Sequence, residues 1–345
     1  MALDLISRIL IVGLGSAGKR HLRLARDLFP AAEIKVLRHE VANIAPGHGA
    51  NNVRNLEDAI KFAPQIAVIA NPSINHLISA QALAEEGTHL LIEKPISSSL
   101  TGVQKLIDTC DSKKKTLMVG YNLRYSSSLL HFFNLLKSDY VGEIFSVRCE
   151  VGQYLPTWRP EIDYRKGVSA RQELGGGVLL ELSHELDFLQ WIFGDVDWVN
   201  AVLSRQSLLE INVEDSVHLV LGFKSTNTRK QLIGTLNMDF IRHDRTRFCI
   251  AIGDKGSLRW DGVKGEVSVF EKGANNWEIL FSSKESSDAT YLAEWILFMN
   301  SVKSAGTPSK QGQQAIGVME VIEAARISSK RKAQVSVSEV QAMNW

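Results

Sequence analysis

At 345 residues the chain is longer than one hydrophobic core usually grows, so two domains are expected. Hydrophobic residues at 45% and charged residues at 22% are ordinary for a soluble globular protein. The 39 lysines and arginines against 38 aspartates and glutamates leave a net charge of +1, a balance that gives no reason to expect nucleic acid or an anionic membrane as partner.

The first third alternates short β-rich runs with helical ones. "RILIVGLG" ends in glycines and leads into a helix over Ala17–Phe29, closed by Pro30. "EIKVLR" reads as a second strand and "QIAVIANP" (65–72) as a third, followed by an amphipathic helix from Ile74 to Glu86 with Gly87 as its stop. "THLLIEKP" (88–95), a helix between about Ser98 and Lys114, and "TLMVGYN" (116–122) complete the series. Apolar strands separated by helices imply a doubly wound parallel sheet covered on both faces, the α/β arrangement of a Rossmann domain over residues 1–122.

From about residue 141 the rhythm changes. "GEIFSVRCEVGQYL", "VDWVNAVLSRQ", "EDSVHLVLGFK", "RKQLIGTLNMDF", "TRFCIAIGD" and "GSLRWDG" follow one another with little helix between, and several alternate apolar with polar residues. That pattern predicts an α+β domain over 123–345, built on an open, mostly antiparallel sheet with one solvated face. Inside it a helix is expected from about Val178 to Phe193, and a last one from about Gln314 to Lys330.

Cys110, Cys149 and Cys249 are far apart and form no CxxC pair, so neither a disulfide framework nor a structural zinc site is expected, and no metal. No apolar run reaches the ~18 residues needed to span a bilayer. The opening "MALDLISRILIVGLG" lacks the basic region of a signal peptide, which makes the cytoplasm the expected compartment.

"GLGSAG" places Gly13, Gly15 and Gly18 in the G-x-G-x-x-G pattern after the first strand and before a helix. Glycine serves there for the tight turn, for close approach of backbone to pyrophosphate and for helix-on-strand packing. The helix start at Ser16, Ala17 and Gly18 supplies N–H donors to phosphate. The strand "EIKVLR" exits at Arg38–His39, where an NAD-specific site usually shows Asp or Glu. An arginine pairs with a 2′-phosphate and stacks on adenine, so NADP is favoured over NAD.

Ligands of open α/β sheets bind outside the carboxyl ends of the strands, and two of those ends read "ANPSINH" (70–76) and "EKP" (93–95). Together with "IVGLGSAGKRH", "VGYNLRY" and a later "GGG…H..D", this ordered set resembles the Gfo/Idh/MocA family of NAD(P)-dependent sugar and cyclitol oxidoreductases along nearly the whole chain. The resemblance implies a substrate-binding second domain whose sheet makes oligomer contacts, and hence a homo-oligomer. It implies that Lys94 lies beside the nicotinamide and the reacting carbon. It also implies that Asn71, Pro72, His76, Glu93 and Asn122 line the cofactor. A lysine in a partly desolvated pocket suits the removal of a hydroxyl proton as hydride leaves, and its ammonium suits donation to a ketone in reverse.

In the family a triple glycine precedes a D-x-x-x-H pair on a helix, both residues near the substrate. Here the aspartate position reads Glu181 and the histidine arrives one residue early, as His184, while a strict four-residue spacing would pair Glu181 with Glu185. Val178, Leu182, Leu186 and Leu189 form one apolar face, and Glu181, His184 and Glu185 are expected together on the other. Glu181 would then set the tautomer of His184 and leave its other ring nitrogen for substrate. Upstream, "YLPTWRPEIDYRKG" (154–167) offers Trp158, Arg159, Tyr164 and Arg165 to a polyol, with Arg124 from "YNLRY".

These readings converge on hydride transfer to or from a secondary hydroxyl or ketone of a sugar, sugar derivative or cyclitol, with Lys94 and His184 in acid–base roles. The arginine-rich loop favours an anionic substrate such as a nucleotide sugar. Two alternatives remain: sugar elimination or hydrolysis with a recycled cofactor, and a non-catalytic NAD(P)-binding sensor.

Overall fold

The structure is a computed structural model that describes all residues except 1–5, 39–44, 226–230, 305–309 and 344. His39, Arg229 and Lys230 of the segments quoted above fall outside the described residues. The chain divides into two compact units, one of residues 1–121, 291–319 and 345, the other of 122–290 and 320–344.

In the first unit the chain runs β1 (Arg8–Val12), α1 (Ser16–Leu28), β2 (Glu33–Leu37), β3 (Asn51–Val53), α2 (Leu56–Lys61), β4 (Ile66–Ile69), α3 (His76–Glu85), β5 (His89–Glu93), α4 (Val103–Ser112) and β6 (Leu117–Gly120). The six strands form one parallel sheet in the order β3-β2-β1-β4-β5-β6. Ile11 of the central β1 pairs with Val36 on one side and Val68 on the other. Ile9, Leu10, Ile11 and all of β4 are fully buried, because helices leave neither face of a parallel sheet to water. The sheet order reverses at β1, so the loops after β1, β4 and β5 lie around the crevice where such sheets bind ligands.

Two short elements, β3 and α2, carry too few apolar residues to stand out in the sequence. Asn55 caps α2 by accepting a hydrogen bond from the Asp58 N–H at 2.8 Å. The helix read from Ile74 starts as a 3-10 turn over Ser73–Asn75 before α3, and the helix read from Ser98 begins only after Gly102, at φ +84°.

The second unit contains α5 (Ser127–Lys137), β7 (Ile144–Gly152), α6 (Val178–Glu181), α7 (His184–Phe193), β8 (Val196–Ser204), β9 (Ser216–Phe223), β10 (Ile233–Asp239), β11 (Thr246–Gly253), β12 (Gly256–Asp261), β13 (Glu266–Glu271) and β14 (Glu278–Ser282). Helix α8 (Ala289–Lys303) carries the chain back to the first unit, and α9 (Lys310–Arg331) returns it to the second, which ends with β15 (Val335–Ser336) and α10 (Val337–Gln341). Among the described residues nine strands form one sheet, β14-β13-β12-β11-β7-β10-β9-β8-β15. Its pairs are antiparallel apart from β10 with β7, where Leu236 faces Cys149 in parallel register. Along β10, Gly234, Leu236 and Met238 are buried while Ile233 and Thr235 are exposed, the alternation of a sheet with one packed face.

Two differences from the sequence reading have clear causes. A single boundary near residue 122 misses the return at Tyr291, where Trp295 and Phe298 of α8 are fully buried. The helix expected over 178–193 is two helices. Ser183 N donates to Leu180 O and Glu185 N to Leu182 O, i to i−3 bonds that tighten the chain into a bend between α6 and α7. That bend rotates one half against the other, so a helical face counted across it does not stay on one side. Among the described residues, no helix is long and apolar enough to cross a membrane.

Candidate active site

The glycine loop begins where β1 ends. Gly13 has φ +89° and donates its N–H to Leu37 O of β2 at 2.7 Å. A Cβ there would lie 2.6 Å from Asn71 N, and one on Gly18 would lie 2.2 Å from Gly13 O. Those two glycines are required by the packing of the loop on itself and on the end of β4. Gly15 differs: a Cβ would meet nothing within 4 Å, so its backbone is open on that side. It is the N-cap of α1, with no side-chain cap, and the first-turn N–H groups of Ser16, Ala17 and Gly18 have no acceptor within the helix. An open backbone beside uncapped N–H donors at a helix start fits the pyrophosphate of a dinucleotide. Arg38, half-buried, directly follows the Leu37 carbonyl to which the loop is tied.

After β4, Asn71 and Pro72 turn the chain into α3, and the Asn71 amide reaches Asn75 O at 3.4 Å. His76 is 1% exposed, with Nδ1 at 3.0 Å from Pro95 O and Nε2 at 2.7 Å from Asn71 O. Both ring nitrogens are thus directed at backbone, and the imidazole brackets the loop after β4 to the loop after β5. Burial holds its pKa below the ordinary histidine value against the pull of these carbonyls.

At the end of β5, Glu93 and the half-buried Lys94 precede Pro95. The Glu93 carboxylate is bound by His21 Nε2 of α1 at 2.9 Å. His21 Nδ1 lies 3.0 Å from Trp295 Nε1 of α8. An indole N–H only donates, so Nδ1 accepts and the ring is the neutral tautomer whose Nε2–H donates to Glu93. Burial pushes the Glu93 carboxyl up, but the His21 hydrogen bond and the Lys94 charge prevail and hold it below the ordinary range. His21 stands in "IVGLGSAGKRH", yet nothing in the sequence links it to residues 93 and 295.

In the second unit the triple glycine is a packing device. A Cβ on Gly176 would lie 2.2 Å from Val168 O, and one on Gly177, at φ +107°, 2.5 Å from Glu214 Oε1. Glu214 accepts the Leu179 N–H at 2.9 Å at the start of α6. Glu181, half-buried at the end of α6, accepts a hydrogen bond from Ser169 Oγ at 3.0 Å. His184, also half-buried, opens α7. Glu185 does not join them on an open face: it is fully buried and paired with Arg247 Nε at 2.8 Å. The bend before α7 turns it inward.

Arg124 is a clamp, with Nε and Nη2 at 2.7 and 2.6 Å from the two carboxylate oxygens of Asp187. Asn122, 7% exposed, donates its amide to Thr290 Oγ1 at 3.2 Å. Trp158, Arg159 and Tyr164 line a shallow hollow, open to solvent, together with Leu155, Ile162 and Ser169. Ser169 thus joins the hollow to Glu181. Arg165 is drawn away, paired with Asp163 at 2.8 Å and Glu210 at 2.9 Å. Among the described residues, no group of three or more His, Cys, Asp or Glu could hold a metal.

Comparison with known proteins matches both parts of the chain to family models. Residues 7–121 match the model of an oxidoreductase family with an NAD-binding Rossmann fold, and residues 131–259 match the GFO/IDH/MocA C-terminal domain. The chain belongs to the Gfo/Idh/MocA family. It is therefore an oxidoreductase with an NAD-binding Rossmann domain. Among Gfo/Idh/MocA relatives, the myo-inositol 2-dehydrogenase of Thermotoga maritima is 24% identical over 351 residues, covering 96% of this chain and 99% of the relative. A levoglucosan dehydrogenase solved with NADH and L-sorbose superposes with a TM-score of 0.84 at 19% identity, covering 97% of this chain and 100% of that one. The WlbA dehydrogenase from Bordetella pertussis, solved with NADH and UDP-GlcNAcA, gives 0.75 at 20% identity, covering 96% and 98%. At these identities the solved structures establish the shared fold.

Proposed function

We propose that this chain is an NAD(P)-dependent dehydrogenase or reductase of a secondary hydroxyl or ketone on a sugar, sugar derivative or cyclitol. The observation that carries the reading is the placement of Lys94, at the carboxyl end of β5, on the sheet edge that bears the open Gly15 backbone and Arg38. The pyrophosphate is assigned to Gly13–Gly18, the ribose to Arg38, and the nicotinamide side to Asn71, Pro72, Glu93 and Lys94. Asn122 retains a cofactor role only through whatever its Thr290-bound amide leaves open. Bound NAD(P) supplies the hydride acceptor or donor.

Lys94 Nζ takes the hydroxyl proton in oxidation and returns it to the carbonyl oxygen in reduction. Glu93, held by His21, keeps a negative charge next to that ammonium. In the second unit His184 is the second acid–base group, and the half-buried Glu181, rather than the buried Glu185, is the carboxylate assigned to act with it. Trp158 and Tyr164 offer aromatic faces to sugar C–H surfaces, and Arg159 offers a guanidinium to an anionic substituent. Arg124, committed to Asp187, serves by holding α7 in place. Arg38 favours NADP over NAD. The exposed apolar side chains of Phe145, Val202, Val220 and Ile233 on the nine-stranded sheet support a homo-oligomer through that face, and the balanced charge suits a cytoplasmic protein.

The test is a screen of sugars, cyclitols and sugar nucleotides for changes in NAD(P)H absorbance, run with both cofactors. A substrate-dependent change supports the reading. Tight cofactor binding with no turnover on any carbohydrate class would favour a sensor.

A further inference from the structure

Glu294 is fully buried on α8, and neither of its carboxylate oxygens has a hydrogen-bond partner. Oε1 lies 3.5 Å from where a Gly120 Cβ would stand, so the side chain is pressed against the end of β6, the strand that pairs with β5 through Glu93 and Gly120. A buried polar group without a partner is costly and calls for an explanation.

The surroundings supply one. Glu93 is the neighbouring carboxylate, and its charge adds to burial in raising the Glu294 pKa well above the ordinary value. Glu93 is faced by His21 from α1, by His76 from α3 and by its own neighbour Lys94. Tyr291, one turn before Glu294, meets the His21 ring edge-on at 5.5 Å and carries the Arg20 guanidinium over its own ring at 4.6 Å. Burial and Glu93 raise the Tyr291 hydroxyl as well, so it stays neutral. Trp295 donates its indole N–H to His21 Nδ1, which leaves His21 Nε2 as the donor to Glu93. A carboxyl buried without a donor beside a second carboxylate keeps its proton, and the one with the hydrogen-bond donor keeps the charge.

We propose that His21, Trp295 and Glu294 are positioning residues that fix a single negative charge on Glu93, behind Lys94. His21 and Trp295 give Glu93 its donor, and Glu294 holds the proton that Glu93 lacks. The cluster ties α1, whose start carries the glycine loop, to the strand end that carries the lysine. The role of that charge rests on the reading of Lys94 as acid–base group, but the cluster itself is tested without turnover.

Two measurements on the full chain, with NADH binding as a control, test it. In Glu294→Gln the side chain keeps its shape and never ionises. Its folded-to-unfolded ratio relative to the parent should grow about tenfold per pH unit as pH rises above about 5, because only the unfolded parent releases that proton. A difference constant with pH would overturn the assignment. In His21→Leu, competitive acetylation read by mass spectrometry should show Lys94 about tenfold more reactive at about pH 7, with exposed Lys61 unchanged, since Glu93 loses its donor and its charge. Trp295→Phe should move Lys94 in the same direction by less. An unchanged Lys94 profile in both folded variants would overturn the proposal. A shifted profile combined with normal turnover of Lys94→Ala would instead overturn the reading of Lys94.

Discussion

Arg124 grips Asp187 with two hydrogen bonds, at 2.7 and 2.6 Å, on a carboxylate whose side chain is 2% exposed. Burial lifts Asp187 to about 6 against the pull of the guanidinium, so the pair depends on its geometry to hold a charge there. Arg124→Ala leaves that carboxylate buried and alone, and should cost about 3–5 kcal/mol of stability in urea unfolding. Arg124→Lys keeps the charge but loses the fork, and should cost less. Equal stability of all three proteins would show that the clamp does not hold α7.

The glycine loop separates folding from cofactor binding. Gly18→Ala puts a Cβ 2.2 Å from Gly13 O, so it should destabilise the chain by about 2 kcal/mol or more. Gly15→Ala meets no protein atom within 4 Å, and should unfold like the parent while losing about tenfold or more in NADH affinity by fluorescence titration. Undiminished NADH binding by Gly15→Ala would contradict the assignment of the pyrophosphate to this loop.

Arg38 is the residue proposed to set the cofactor preference. Arg38→Asp should lower NADPH affinity by about tenfold or more and leave NADH affinity equal or improved, read as the ratio of the two dissociation constants. An unchanged ratio would place the 2′-position elsewhere.

His89 should make stability depend on pH. Its Nδ1 accepts the Thr116 N–H at 3.1 Å, and burial with the nearby Lys115 charge lowers its pKa to about 4. Between about 4 and the unfolded value near 6.5 the unfolded chain binds the extra proton, so stability rises with pH across that window. The contribution is present above about 6.5 and lost as pH falls. His89→Gln should remove on the order of 1 kcal/mol of the stability rise across that window, reduced from the full linkage by the partial exposure of the ring. Denaturant midpoints at several pH values between these limits measure it.

Most strands of the two sheets were legible because β-branched and apolar runs such as "ILIV" and "IAVI" are bounded by glycine, asparagine or proline, while β3, β13, β14 and β15 were not read. The glycine loop and Lys94 were legible for the same local reason, since each sits where a strand ends. What depends on distant partners was not. The break between α6 and α7 has no glycine or proline to announce it, and only the i to i−3 bonds at Ser183 and Glu185 show why Glu185 turns inward to Arg247. Likewise, "ATYLAEWILFMNSVK" carries apolar residues on every side, so its pattern does not show that Trp295 reaches His21 across 274 residues of sequence. Arg124 and Arg165 read as substrate groups because a sequence shows the arginine and not the carboxylates that claim it.

The central claim is that Lys94 moves the proton that accompanies hydride transfer. The most direct measurement is Lys94→Ala assayed on the carbohydrate found active in the screen, with NADH affinity determined in parallel. The account predicts a fall in kcat of about a hundredfold or more with NADH affinity within about threefold of the parent. Turnover retained at the parental rate, with the cofactor still bound, would contradict it.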